Sequence, residues 1–396
     1  MKRVNYLLSI TFMASILLLS CKKIFPTAPE ASETLDGPIE GLSPEENKRF
    51  LAGDAAFARA FTPATGLGPG FVATSCISCH AGDGKGHPST SLIRFGQVDG
   101  TGNMYLDRGG PQLQNRAIPG FSPEQIPDGA HFSTFLPPAN AGLGYLDFVS
   151  DADILALADP TDANGDGISG VPNWIDLPAF LNPRPGSVSQ NGKYIGRFGK
   201  KAAAYNLLHQ TVNAYNQDMG IVSTYVPIDP YTGNLLDPEV TNQEVEDLVF
   251  YLHTLKAPSP RSIENSSRAK QLFEDVQCAA CHLPKMKTGD SPIQALSNQT
   301  FYPYTDLLLH DMGPGLDDHY TEGQALTSEW RTPPLWGLGL SPIAQGGSYF
   351  LMHDGRARSI EEAILYHGGE AQNSRQLYEA LPTSDKELII RFLKSL

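Results

Sequence analysis

Two short segments constrain this chain more than any other feature. Cys76-Ile77-Ser78-Cys79-His80 and Cys278-Ala279-Ala280-Cys281-His282 repeat one pattern, C-x-x-C-H, and of the five cysteines only Cys21 lies outside them. That pattern is the attachment signature of c-type haem. Cysteines three apart near a helix start can form thioethers with the two vinyl groups of one porphyrin, and His80 or His282 then stands under the iron as proximal ligand. A thioredoxin-like dithiol needs a strand-turn-helix context that neither segment offers. A structural zinc site would need two ligand pairs at an unusually wide spacing. Two covalently bound haem c groups are therefore expected.

Haem c is attached outside the cytoplasm, and the N-terminus agrees. Lys2 and Arg3 precede an apolar run from Tyr6 to Leu19, the layout of a secretory leader over 1–20. The run is shorter than the roughly 20 residues that span a bilayer. Leu18-Leu19-Ser20-Cys21 looks like a bacterial lipobox, so Cys21 is expected to carry lipid and hold the protein to a membrane of the cell envelope, facing the periplasm or the cell surface. Residues 21–42 contain Pro26, Pro29, Ser32 and Pro38 without periodicity and read as a flexible tether. The net charge of −14 argues against a nucleic-acid partner, because phosphate binding needs a basic face.

The 396 residues are enough for two or three domains. A helix-like stretch precedes each motif, Arg49 to Phe61 and Arg268 to Val276, and a capped helix follows each. Thr241-x-x-Glu244 opens one ending at Leu255, before Pro258 and Pro260; Ser384-x-x-Glu387 opens the other, at the C-terminus. The expected fold is mainly α: two tandem cytochrome c-like haem domains with long loop insertions, 43–258 and 259–396.

Seven stretches strengthen that reading: GLGPGFVATSCISCH (66–80), DPTDANGDGISGVPN (159–173), GRFGKKA (196–202), QDMGI (217–221), PYTDLLLHDMGPGL (303–316), EWRTPPLWGLGL (329–340) and HDGRARSIEEAILYHGGEA (353–371). Together they resemble the bacterial di-haem oxidoreductase family, also described as di-haem cytochrome c peroxidases and sometimes labelled thiol oxidoreductases. The resemblance implies one haem that stores an electron and one, the N-terminal, that reacts with peroxide.

Residue roles follow from both sources. Ser359-x-x-Glu362 caps a helix ended by Gly368-Gly369, and Ile360, Ala363, Ile364 and His367 share its core-facing stripe. With the resemblance, His367 is expected as distal ligand of the Cys278/Cys281 haem. For the first haem, His87, His131, His209, Met219, His310 and Met312 all could approach, and spacing singles out none. If none binds, that iron is open to peroxide, and cleavage of the O–O bond then wants an acid-base group. His310 and Asp147 are the candidates, although the family usually has Glu at the second place. Arg331 and Arg356 are expected to hold haem carboxylates. Lys200 stands where the family often has Trp, so Trp336 or Tyr366 would have to relay electrons. Asp162, Asn164, Asp166 and the Ile168 carbonyl have the rhythm of a calcium loop, with Asn173 where a bidentate Glu would stand. The expected activity is reduction of hydrogen peroxide or oxidation of another small molecule or protein, fed by a donor protein such as a small cytochrome or cupredoxin. The rival is a non-catalytic electron carrier.

Overall fold

A computed structural model describes residues 34–96 and 110–396, with the backbone pairing of Val98–Asp99 and Gly102–Asn103 between them. The leader, Cys21 and the first part of the tether lie outside the described residues. From Leu35 onward the chain belongs to the body: Leu35 and Ile39 are buried, and the Ile39 N–H donates to the Thr254 carbonyl at 2.8 Å. The tether expected to reach residue 42 therefore ends sooner.

Helix α1 (Pro44–Ala58) starts at a reciprocal capping box in which Ser43 Oγ accepts from the Glu46 N–H at 3.2 Å and the Glu46 carboxylate accepts from the Ser43 N–H at 2.8 Å. That box lies upstream of the expected start at Arg49. Further along the chain, α2 (Leu207–Asn213) runs into a π turn (Ala214–Asp218), and α3 (Asn242–Thr254) follows after a loop, with Thr241 as its N-cap as its sequence suggests.

Helices α1 and α3 cross at Gly53, where a Cβ would lie 2.1 Å from the Asp247 carbonyl oxygen and 2.5 Å from Tyr251 Cβ. Phe50 and Phe57 pack on the Tyr251 ring at 4.9 and 5.5 Å, and Arg49 pairs with Asp247 at 2.8 Å. Replacing Gly53 with Ala forces the helices apart, and a stability loss of about 1–3 kcal/mol is expected, seen as a lower urea midpoint. An unchanged midpoint would show that the crossing has slack.

A second pair repeats the arrangement. Helix α4 (Ser266–Asp275) packs against α6 (Thr383–Ser395) through Ala269, Leu272 and Phe273 on one side and Leu388, Ile389 and Phe392 on the other. Helix α6 begins after Pro382, so the Ser384 box falls inside the first turn and makes no cap. Between them lies the short α5 (Ile360–Leu365), capped by Ser359 as expected.

Helix is the larger share of regular structure among the described residues. The strands form small ladders, of which β1 (Leu92–Phe95) with β2 (Phe132–Phe135) and β3 (Leu309–Asp311) with β4 (Glu329–Arg331) place side chains that matter below.

The boundary near residue 258 separates the two helix pairs but not the two cores. The core around α1 and α3 also takes Met286, Ile293, Leu296, Phe301, Leu307, Leu308 and Trp336 from the later part of the chain. Residues 35–396 form one contact unit. Among the described residues no helix is long and apolar enough to cross a membrane.

Candidate haem-binding site

Both C-x-x-C-H segments fold as single 3-10 turns and open onto one cavity of about 480 Å³. Cys76, Cys79, His80, Cys278, Cys281, His282 and His367 all line it, with mostly apolar neighbours. All four cysteines are unpaired. Burial pushes Cys76 and Cys278 up to about 12 and Cys79 to about 11. Thiols raised in this way are poor redox nucleophiles, which disfavours the dithiol reading.

Each motif histidine is held by one nitrogen. His80 Nδ1 donates to the Pro138 carbonyl at 2.8 Å and His282 Nδ1 to the Tyr304 carbonyl at 3.0 Å. Burial keeps both rings neutral, at about 4, against those hydrogen bonds, and His367 lowers His282 further. A neutral imidazole anchored through Nδ1 presents Nε2 as a ligand. His367, which follows α5, donates from Nδ1 to Ala363 O at 2.8 Å, and its ring centroid lies 6.5 Å from that of His282. That spacing admits one metal ion between two ring nitrogens at about 2 Å each.

One wall of the cavity is cationic. Arg331 donates to the carbonyls of Gly199 and Thr332 at 3.1 Å each, and Lys85 donates to Met352 O at 3.1 Å. Neither these two nor Lys200 forms an ion pair among the described residues. Burial lowers Lys85 to about 8 and Arg331 to about 10; it also lowers Lys200 strongly, reinforced by Lys85 and Arg331. Three basic side chains on one wall, with Asp354 and Asp306 acting on them but forming no salt bridge, are matched to carboxylates such as the propionates of a porphyrin. The carbonyls that hold His282 and Lys85 belong to Tyr304 and Met352, non-glycine residues at φ +56° and +67°. Left-handed backbone of this kind clusters at functional sites. The donor set, the ring spacing and the cationic wall thus fit two haems.

Several expected roles change. Arg356 does not line the cavity: its guanidinium bonds Asp354 at 2.7 Å and Gly315 O at 3.0 Å. Asp147 is also off the cavity, and its carboxylate accepts from Arg184, from His253 at 2.8 Å and from the Leu207 N–H at 3.0 Å. Burial would raise that carboxyl, but Arg184 and His253 overcome it and hold it well below the usual range. It is a permanent anion, not a proton donor.

His310 does line the cavity, but at the second motif, 3.6 Å from Cys281 Sγ. Asp306 bonds its Nε2 at 2.8 Å and Glu370 its Nδ1 at 2.7 Å. Burial disfavours the charge, yet these partners raise His310 to about 12, so it stays an imidazolium. Neither candidate can shuttle protons at the first motif.

The other histidines go elsewhere. His87 bonds Ser89 and packs on Phe350, His131 lies beside His319, and His209 accepts the Tyr205 N–H. Met219 is in the first core and on the cavity wall, and Met312 is on the wall as well. Trp336 also lines the cavity, whereas Tyr366 is on the surface. The structure adds Trp330, whose ring stacks on His353 at 3.8 Å.

The Asp162–Asp166 loop closes on itself. Asp162 accepts the Gly167 N–H, Asn164 Oδ1 the Asp166 N–H and Asp166 the Ile168 N–H. Asn173 is fully buried and bonds Lys201 O and Glu322 O, so it is not part of that loop. Ile168 lines the cavity instead.

Residues 137–396 match the family described as "Di-haem oxidoreductase, putative peroxidase". The chain belongs to the di-haem oxidoreductase family. Haem is that family's cofactor and oxidoreduction its chemistry. Two solved structures share the chain's length. One is hydrazine synthase of Kuenenia stuttgartiensis, at 14% identity and TM-score 0.42, covering 94% of this chain and 93% of that one. The other is a MauG-like protein associated with microbial copper homeostasis, at 13% identity and TM-score 0.40, covering 94% of each chain. No curated protein sequence matches it.

Proposed function

We propose that both motifs carry covalently bound haem c and that the protein reduces hydrogen peroxide: H₂O₂, two electrons and two protons give two waters. Electrons enter by the second haem, from a small cytochrome or cupredoxin. The lipidated Cys21 holds the protein at the envelope, facing the periplasm or the cell surface. Bound haem supplies redox-active iron that accepts one electron at a time.

One asymmetry carries the reading. Among the described residues the ring paired with His282 is a second imidazole, that of His367, while the ring paired with His80 is that of Phe57, at 6.2 Å. With haem bound, His282 and His367 would close one centre with two nitrogen ligands, as suits electron transfer, and the centre at His80 would be left open to a small molecule. Within this chain, Arg331, Lys85 and Lys200 hold carboxylates, and Pro138 and Tyr304 orient the two proximal imidazoles.

An EPR spectrum of the haem-loaded protein tests this. A high-spin ferric signal that shifts on adding peroxide or cyanide is expected; purely low-spin ferric signals that neither reagent alters would make it a carrier. His367→Met is expected to raise the midpoint potential of the second centre and His367→Ala to leave it high-spin. If neither changes, His367 is not its ligand.

A further inference from the structure

The first motif faces a polar wall that the roles above leave unused. Helix α2 runs into the π turn, a rare geometry found mostly at functional sites. Thr211 Oγ1 and Tyr215 OH are buried there without hydrogen-bond partners, and both residues line the cavity with Asp218. All three thus face the cavity from one continuous stretch, the end of α2 and the π turn after it. Buried polar groups left unpaired are exceptions in a folded chain and ask for an explanation.

The backbone of the turn is tied to the segment just ahead of Cys76. Asp218 O accepts from the Val72 and Ala73 N–H groups at 2.7 and 3.1 Å, and Met219 O accepts from Gly68 N–H at 3.1 Å. A Cβ on Gly68 would lie 2.5 Å from Gly220 O, so the two segments cannot separate or slide without loss. The Asp218 carboxyl takes no part in this and makes no hydrogen bond or ion pair among the described residues.

Around it stand Arg94 on β1, Cys76 and Cys79 in the motif, and Tyr215 one turn earlier. Arg94 is itself held by Glu322 and by Gln217 Oε1 at 3.2 Å. Burial raises the Asp218 carboxyl to about 7, with Arg94 opposing, which leaves it able to take and return a proton near neutral pH.

We propose that Asp218 is the proton-transferring residue of the first centre, with Arg94 as the fixed positive charge beside it. This rests on the peroxide reading above. The carboxylate takes the proton from the inner oxygen of H₂O₂ and gives it to the outer oxygen as the O–O bond breaks. The bonding pair leaves with the outer oxygen, which departs as water, and Asp218 returns to its starting state. The inner oxygen becomes the second water on receiving two electrons from the donor protein and two protons from solvent.

The test uses the full-length, haem-loaded protein, mixed rapidly with peroxide and separately with cyanide over roughly pH 5 to 9. Asp218 must be ionised to act as the base, so the wild-type rate is expected to rise through pH about 7. Asp218→Asn is expected to slow the peroxide-driven spectral change by about 100-fold or more and to lose that inflection, with two haem masses per chain and an unaltered resting spectrum. Asp218→Glu should recover most of the rate with its inflection moved. An Asn variant that keeps the wild-type rate and pH profile overturns the assignment; if it fails to load haem, an unmoved profile in the Glu variant does so.

Hydrogen cyanide must also lose a proton to bind iron, so the cyanide arm separates the two claims. A wild type inert to peroxide, whose cyanide binding loses its inflection in Asp218→Asn, refutes the peroxide reading and keeps Asp218. Equal cyanide binding by both proteins refutes Asp218.

Discussion

With Cys278 and Cys281 both replaced by alanine, the protein made in cells that mature cytochromes c is expected to carry one haem mass instead of two and to lose most of its resistance to unfolding. The reason lies in the size of what the motif encloses. An apolar volume costs about 24 cal/mol per Å³ when it stands open, so a cavity of about 480 Å³ corresponds to roughly 12 kcal/mol. That is comparable to the whole stability of an ordinary domain, about 5–15 kcal/mol. Loading is thus coupled to folding, and each lost haem exposes part of this cost. Replacing Cys76 and Cys79 should do the same at the other end. Intact-mass spectrometry and a urea titration read both effects. Two haem masses in either double variant would refute covalent attachment at that motif.

Asp147→Asn is expected to destabilise the protein by about 3–5 kcal/mol, although this side chain lies away from the cavity. The carboxylate is 1% exposed and answers Arg184, His253 and the Leu207 N–H at once. Removing one member of a buried charge cluster leaves its partners uncompensated, which costs more than the pair contributed. The pH dependence follows from the direction of its shift. A carboxyl held below its ordinary value stabilises the folded state above the unfolded pKa, near 4, and that contribution is lost as pH falls through the folded value. Wild-type stability should therefore fall on acidification below about pH 4, while the Asn variant, weaker throughout, shows a flatter acid limb. Urea midpoints that agree between the two proteins would show that the cluster is not structural.

The two errors about proton transfer share a cause. His310 and Asp147 stand in stretches with the right residue types, and spacing along the chain could not show that their lone pairs were already taken. His310 is closed by Asp306, four residues earlier in the loop before its strand, and by Glu370, sixty residues on. Asp147 is closed by Arg184 and by His253, 106 residues on. QDMGI was visible as a motif, but its aspartate becomes conspicuous only once the carboxyl is seen without a partner on the cavity wall. Lys85 offered no signal at all, because a lysine in a glycine-rich loop looks solvated until the fold buries it beside Arg331.

What the chain alone determined is whatever depends on spacing over a few residues: the two C-x-x-C-H turns and the caps at Thr241 and Ser359. Covalent geometry and the helical period set these distances locally, so no distant contact could alter them. Only the tertiary structure decided that one core draws on both halves of the chain, that both motifs open on one cavity, and which polar groups are left free to react. Those outcomes depend on which surfaces meet across hundreds of residues, and whether a buried charge acts or merely holds is decided by the partner that reaches it.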